Sequence, residues 1–389
     1  MCASGLDVPQ IRDRMRVNPF PEVRRMCNLK NRVCSLSATL RRLALAAAMG
    51  VLCTLAIANP PCPSDLDGDK RIDTADLSLL LLDFGTCAGC SSDVDGDGTV
   101  NAADISLLLL DFGQCPVWYT VLEQDPNPAV VYDSGLRAAI AATGLPWRVR
   151  DNGTGIEMVL IPPGSFAMGC SSDEEVCESN EYPTHQVTLT SAFYLGRTEL
   201  TEAQWYTNSV STQCCSALID PTFPMVYVTW SEAQAFCSNN DLRLPTEAEW
   251  EFAYRAGSAR SFHWIYSPDE WPYGVLGVTS SSIGRIAWNY YNTCMTGRCG
   301  PRVVGSLASN YFGLFDMAGN VSEWVNDWYS SYSADDQIDP SGPLSGTYRV
   351  KRGGDCGDWW SRSFTASSRT PCSFDFRDTY TGFRVAKTP

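Results

Sequence analysis

The chain has 389 residues, of which 44 % are apolar and 19 % charged, enough for a buried core and for two or three domains. Its formal charge of −15 leaves no basic surface to displace counterions from phosphates, which excludes a nucleic-acid partner. The two histidines, His185 and His263, exclude a site built from several imidazoles, and 12 Trp with 16 Tyr point to a loop-rich fold filled by large rings.

Residues 1–58 hold nine basic and three acidic side chains, so the rest carries 20 basic against 41 acidic and a net charge of −21. Arg41-Arg42, the apolar run Leu43 to Leu55 and the small residues Ala56-Ile57-Ala58 have the layout of a secretory signal. That run is shorter than the roughly 20 residues a membrane span needs. The preceding Arg-rich stretch is long for a signal, so translation is also read as starting at Met15 or Met26. Export, to a secreted or cell-envelope location, with no transmembrane segment in the mature chain, is the expectation. Of 17 cysteines, 13 follow residue 58, which suits an oxidising compartment. They fall into local pairs: Cys62 with Cys87, Cys90 with Cys115, Cys170 with Cys177, Cys294 with Cys299 and Cys356 with Cys372. Cys237 is expected to join Cys214 or Cys215, leaving one thiol over.

Residues 59–116 contain a repeat offset by 28. Asp65, Asp67, Asp69, Asp73 and Asp76 recur as Asp93, Asp95, Asp97, Asn101 and Asp104, each set leading into a Leu-rich helix that ends in Leu-Asp-Phe-Gly. With the carbonyls of Arg71 and Thr99 at position 7, the oxygens fall at positions 1, 3, 5, 7, 9 and 12 of a calcium loop, as a hard divalent cation requires. Gly98 supplies the turn at position 6 in the second repeat, where the first has Lys70, so the second site is expected to bind more tightly. Leu79 to Leu82 and Leu107 to Leu110 must be covered by each other or by a partner. The repeat resembles the dockerin type I modules, an α-helical EF-hand-like fold; this implies calcium binding and attachment to a cohesin-like protein. A calcium-stapled spacer without a partner is the competing reading, because bracketing cysteine pairs are not typical of dockerins.

Residues 117–154 read as a linker and lead-in. Beyond them Val159 to Ile161 and Gln186 to Leu189 read as strands, and Thr201, Ser231 and Thr246 as helix N-caps, each with Glu or Gln in the first turn. Short helices among many turns make residues 155–389 an α+β domain with much irregular backbone. MVLIPPGSFAMG (158–169), FYLGRTELTEAQW (193–205), RLPTEAEWEFAYRAG (243–257), YFGLFDMAGNVSEW (311–324) and the ends Arg352-Gly353-Gly354 and Gly382-Phe383-Arg384-Val385 are similar, in order, to the formylglycine-generating enzyme (sulfatase-modifying factor) superfamily.

That resemblance implies a variant of the C-type-lectin-like fold and, for members that make formylglycine, two cysteines that bind copper(I) after a Gly-Gly-Ser turn. Here the turn reads Gly353-Gly354-Asp355, with Asp358 and Ser363 or their neighbours where the thiol pair belongs and Cys356 as the one nearby thiol. Copper is therefore not expected, and Cys356 is retained as the sole catalytic candidate, for an oxidase acting on a sulfatase cysteine. The preferred expectation is a recognition or accessory protein whose groove, for a peptide or glycan, is lined by Asp355, Asp358, Trp359, Trp360, Arg362 and Arg369. The resemblance also implies a calcium ion held by Asp316, the carbonyls of Gly319 and Val321, and Glu323; a second family site is matched only at Asn289. His185 and His263 read as structural.

Overall fold

The computed structural model describes Ser64, Leu66 and residues 71–86, 90–114, 117–171, 173, 177–209, 220–263 and 283–389. The signal segment, Asp65, Asp67, Asp69, Cys62, Cys87, Cys115, Cys214 and Cys215 lie outside the described residues. The chain divides into two compact units at Thr120/Val121.

In the first unit the 28-residue offset appears as an exchange of strands. β1 (Arg71–Ile72), α1 (Thr74–Leu82) and β2 (Gly85–Thr86) are followed by β3 (Thr99–Val100), α2 (Ala102–Leu110) and β4 (Gly113–Gln114). β1 pairs antiparallel with β4 and β2 with β3, so each loop's exit strand is completed by the segment after the other repeat's helix. Asp73 and Asn101 are the N-caps, in capping boxes with Asp76 and Asp104. Ile72, Leu80, Val100 and Leu108 form the core, with Leu66, Leu77, Val94 and Ile105 packed on it. Only one leucine of each quartet is buried, for a structural reason: a nine-residue helix against one neighbour covers a single stripe. Leu82 and Leu110 stay 81 % and 80 % exposed, beside the exposed Leu81, Phe84, Leu109 and Phe112.

The second unit opens with β5 (Tyr119–Glu123), α3 (Ser134–Ala142) and β6 (Arg148–Asp151), so the expected lead-in is part of the folded body. β7 (Glu157–Ile161), β8 (Gly164–Met168), β9 (His185–Leu189) and β10 (Phe193–Gly196) follow, then α4 (Glu202–Asn208), α5 (Trp230–Asn239) and α6 (Glu247–Arg255). Thr201 and Thr246 cap α4 and α6 as their spacing predicts. α5 is capped by Thr229 instead of Ser231, because Glu232 sits at N3 relative to Thr229 and closes the box. The rest is extended: β11 (Ala287–Trp288), β12 (Ala318–Gly319), β13 (Ser322–Trp328), β14 (Gln337–Ile338), β15 (Tyr348–Arg352), β16 (Arg369–Ser373), β17 (Thr381–Phe383) and β18 (Ala386–Lys387). The main sheets run β18-β10-β7-β6-β5, β16-β15-β13-β17 and β14-β9-β8. The mixture of short helices and sheets is the α+β architecture expected.

α6 is submerged between these sheets. Glu247, Glu251 and Arg255 recur at i, i+4 and i+8, so all three lie on one face. They meet the guanidiniums of β15 and β16: Arg352 pairs with Glu251 and Glu247, and Arg369 grips Glu247 through Nε and Nη2 at 2.8 and 2.6 Å. This buried ionic frame carries the Gly353-Gly354 turn. Gly354 has φ +68° and a Cβ there would stand 2.5 Å from the Ser363 carbonyl, so the turn closes only with glycine.

Candidate functional site

β15 delivers the chain into the turn where the sequence places its candidate chemistry. Cys356 is fully buried, its amide donates to the Asn320 carbonyl at 2.9 Å, and its own carbonyl accepts from the Thr293 hydroxyl. Burial pushes its thiol well above the usual range, and Asp355, Glu199 and Asp358 push the same way. Cys356 and Cys237 are both free and Cys372 is disulfide-bonded, which corrects the expected Cys356–Cys372 and Cys237 pairings. The reason is geometric. Cys372 stands opposite Arg349, three residues back along β15, whereas Cys356 lies beyond the strand's other end. At about 3.3 Å per residue the two are much too far apart to bridge. The Cys170–Cys177 and Cys294–Cys299 bonds form as expected, and Cys90 is also disulfide-bonded.

Asp355 and Asp358 fold over this thiol as one small turn. The Asp358 amide donates to the Asp355 carbonyl, the Asp355 amide to an Asp358 carboxylate oxygen at 3.2 Å, and the Gly357 amide to Asp355 Oδ1 at 2.9 Å. Burial, then the neighbouring Asp358, raise the Asp355 carboxyl well above the carboxylate range, while Lys351 pulls it down. Tyr380 faces the same turn, and burial with Cys356 and Asp355 beside it raises its phenol. Outside the turn Trp359 and Trp360 are 59 % and 46 % exposed and meet edge to face at 5.4 Å, with the Arg362 guanidinium 5.5 Å from the Trp360 ring and 3.6 Å from Glu178. Five of the six expected groove residues thus share one turn and its flank, of which the two indoles are exposed. Arg369 does not: it is 5 % exposed, bound to Glu247 and packed on Tyr332, so it belongs to the frame.

Beneath the turn, Asp316 and Glu323 lie near one another, with a third acid, Glu199, that the sequence reasoning missed. Its one sequence signal was an acid at the junction between the apolar strand β10 and α4. Glu199 accepts from Asn320 Nδ2 at 2.6 Å and from the Val321 amide at 3.0 Å. Burial raises its carboxyl well above the usual range, and Asp316 and Glu323 add to that. Asp316 Oδ2 accepts from the Gly305 amide at 2.6 Å; its Oδ1 is buried with no hydrogen-bond partner. Gly319, at φ +73°, lets β12 approach β11, since a Cβ would fall 2.3 Å from the Trp288 carbonyl. Asn289 is buried, with its side-chain oxygen accepting from the Tyr291 amide, the geometry of a turn.

In the repeat, Asp93, Asp95 and Asp97 each bring a carboxylate oxygen within 4.8 Å of the others, and Gly98 turns at φ +88°. Position 12 acts differently from a ligand that only grips an ion. Asp104 is fully buried and accepts from the amides of Val94, Asp95 and Asn101; burial pushes its carboxyl up, but those amides more than offset it and hold it below the usual range. Asp76 does the same for Leu66 and Asp73.

A family model described as "Sulfatase-modifying factor enzyme 1-like domain" matches residues 147–389. A protein of Thermomonospora curvata named "Formylglycine-generating enzyme" is 34 % identical over 180 residues, covering 43 % of this chain and 57 % of that protein. One of the same name from Bos taurus is 29 % identical over 284 residues, 59 % of this chain and 74 % of that protein. The chain spans between 53 and 57 % of the length of the Streptomyces coelicolor and Thermomonospora curvata relatives. Among solved structures, PvdO from Pseudomonas aeruginosa is similar with TM-score 0.52 and 26 % identity, covering 62 % of this chain and 98 % of that one.

Proposed function

The chain belongs to the sulfatase-modifying factor enzyme 1-like family, and from that premise we propose that it is an exported recognition or accessory protein of the family that does not oxidise thiols. The observation that carries this reading is the turn at residues 355–363. Copper(I) calls for soft thiolates. Cys356 is the one sulfur in the turn, buried, with its thiol pushed well above the usual range by burial and by nearby acids, while the resemblance puts Asp358 and Ser363 or their neighbours where the thiol pair belongs. These residues do not fit copper(I). What the turn does offer is two indoles and Arg362 at the surface beside the neighbouring carboxylates of Asp355 and Asp358, the mixture that recognition surfaces use for a peptide or glycan.

The N-terminal unit is the attachment module in this reading. Calcium is held by Asp93, Asp95, Asp97, the Thr99 carbonyl and Asn101, and the exposed leucines at the C-terminal ends of α1 and α2, with Phe84 and Phe112 just beyond, dock a cohesin-like partner. Removing calcium with a chelator is expected to reduce the helical circular dichroism of this unit and open residues 59–116 to protease. An unchanged digestion pattern would end the calcium reading.

A second reading, a copper- and oxygen-dependent oxidase that converts a sulfatase cysteine to formylglycine, is favoured by the names of the relatives. Residues 117–389 incubated with copper(I), oxygen and a Cys-x-Pro-x-Arg peptide separate the two by mass spectrometry. No formylglycine is expected. Product that disappears in Cys356→Ala would replace the recognition reading with an oxidase using an unfamiliar ligand set.

A further inference from the structure

The hairpin that joins β6 to β7 turns through Asp151-Asn152-Gly153-Thr154-Gly155, and Asn152-Gly153 is the one Asn-Gly step in the chain. Both residues of that step are exposed, while Asp151 and Thr154 on either side are 3 % and 9 % exposed. The turn is pinned at its flanks. Asp151 Oδ1 accepts from the Thr154 amide and hydroxyl, each at 2.7 Å, and the Asp151 carbonyl accepts from the Gly155 amide at 2.8 Å. These bonds bypass the Gly153 amide, which donates to nothing among the described residues. Gly153 has no Cβ to shield that nitrogen, so an unengaged amide at the surface stands next in the chain to the Asn152 carboxamide.

We propose that Asn152-Gly153 is a self-modification site, where the folded chain converts Asn152 to aspartate and isoaspartate with water as the one co-reactant. The Gly153 nitrogen gives its proton to solvent hydroxide and attacks Asn152 Cγ. The carboxamide C–N bond breaks, and ammonia leaves with a proton taken from water. Water then opens the succinimide: at the side-chain carbonyl it restores the ordinary peptide bond and leaves aspartate, and at the main-chain carbonyl it leaves isoaspartate. Nothing is oxidised or reduced. Either product places a carboxylate next to Asp151, and isoaspartate also lengthens the main chain inside the ring closed by the Gly155-to-Asp151 bond. Asp151 is sensitive to both changes, because its Oδ2 pairs at 3.4 Å with Lys387 of β18, which also holds Asp241 at 2.9 Å. Ageing of this turn therefore loosens the tie between the hairpin and the C-terminal strand. This goes beyond the groove and stands whether or not the groove binds a ligand.

The test ages the full chain in heavy-oxygen water at neutral and at mildly alkaline pH. Mass spectrometry of the peptide containing residue 152 reads label uptake, and an isoaspartyl methyltransferase reports the isomer. Uptake at Asn152 is expected at a rate comparable with that of the free peptide of residues 148–158, and faster at the higher pH because the attacking group is the deprotonated amide. A Cβ at residue 153 would stand 3.4 Å from Asp151 Oδ1, an ordinary contact, so Gly153→Ala folds; it is expected to lose most of the product over the same incubation. Chains bearing isoaspartate are expected to melt below both the fresh chain and Asn152→Asp, which supplies the other product directly. An Asn152 that keeps its amide in the folded chain while the free peptide loses it would overturn the proposal. So would a Gly153→Ala chain that takes up label as fast as its parent, and an unchanged Tm in the isoaspartate form would overturn the link to β18.

Discussion

Arg352→Leu is expected to lower the unfolding free energy by about 3–5 kcal/mol, the range for breaking a buried ion pair from one side. Arg352 and Glu251 have fully buried side chains and Glu247 is 5 % exposed. The same guanidinium donates to the Ala366 and Ser368 carbonyls at 2.9 and 2.6 Å and lies 5.4 Å from the centre of the Trp250 ring. Leucine fills much of the volume but leaves two carbonyls without that donor and Glu251 with only the Arg255 guanidinium and the Gly169 amide. The loss also has a pH signature. Burial pushes Glu247 up, but Arg369 and Arg352 more than offset it and hold its carboxyl below the usual range. A depressed carboxylate contributes stability above its unfolded value and loses it as pH falls through the folded one. Without Arg352 that acid loss begins at higher pH. Urea unfolding at pH 7 and in the acid range measures both effects. The control is Arg362→Leu: its pair with Glu178 is long and part-exposed, so it is worth under about 1 kcal/mol. Equal midpoint shifts for the two variants would refute the account of the frame.

The contrast between those two arginines explains what could be read in the sequence. Thr201 and Thr246 were legible as caps because a capping box is written within four residues. The 28-residue offset was legible because repetition is local to each copy, and it predicts the core pairs Ile72/Val100 and Leu80/Leu108 without any knowledge of how the copies meet. The strand exchange between β1 and β4 was not legible, since neither repeat says which copy supplies its partner. Arg362 and Arg369 look alike in the sequence, both lying in an aromatic, charged stretch. One ends on the surface and the other under Tyr332, because β16 pairs residue for residue with β15 and so brings Arg369 alongside Arg352 over α6. Cys356 with Cys372 failed for the same reason: proximity in sequence across a hairpin is not proximity in register. Glu199 was hidden by its neighbours, since its function in the structure depends on Asp316 and on the Val321 amide, both more than a hundred residues away.

The same burial that fixes the frame also raises the carboxyl of Asp327, which gives a prediction of opposite sign. Asp327 is 5 % exposed and its Oδ2 accepts from the Glu247 amide at 2.8 Å. Burial first, then the charge of Glu247, push its carboxyl from 3.8 up to about 8. Arg349 acts on it from between the Trp230 and Trp328 rings, 3.5 and 3.6 Å from their centres, and is itself pulled down to about 10 by burial. A carboxyl raised in the folded state keeps its proton there longer than in the unfolded chain. Stability is therefore lost as pH rises from near 4 to about 8, and then levels off. Asparagine retains an oxygen for the Glu247 amide and carries no charge to desolvate. Each pKa unit corresponds to about 1.4 kcal/mol, so half of the displacement makes Asp327→Asn about 3 kcal/mol more stable than its parent at pH 9. At pH 4, where the parent's carboxyl is also neutral, the two should unfold together. Denaturant midpoints at both pH values decide it: a gain that does not grow between them would show that Asp327 is ionised in the fold, with the Glu247 amide and Arg349 compensating its charge.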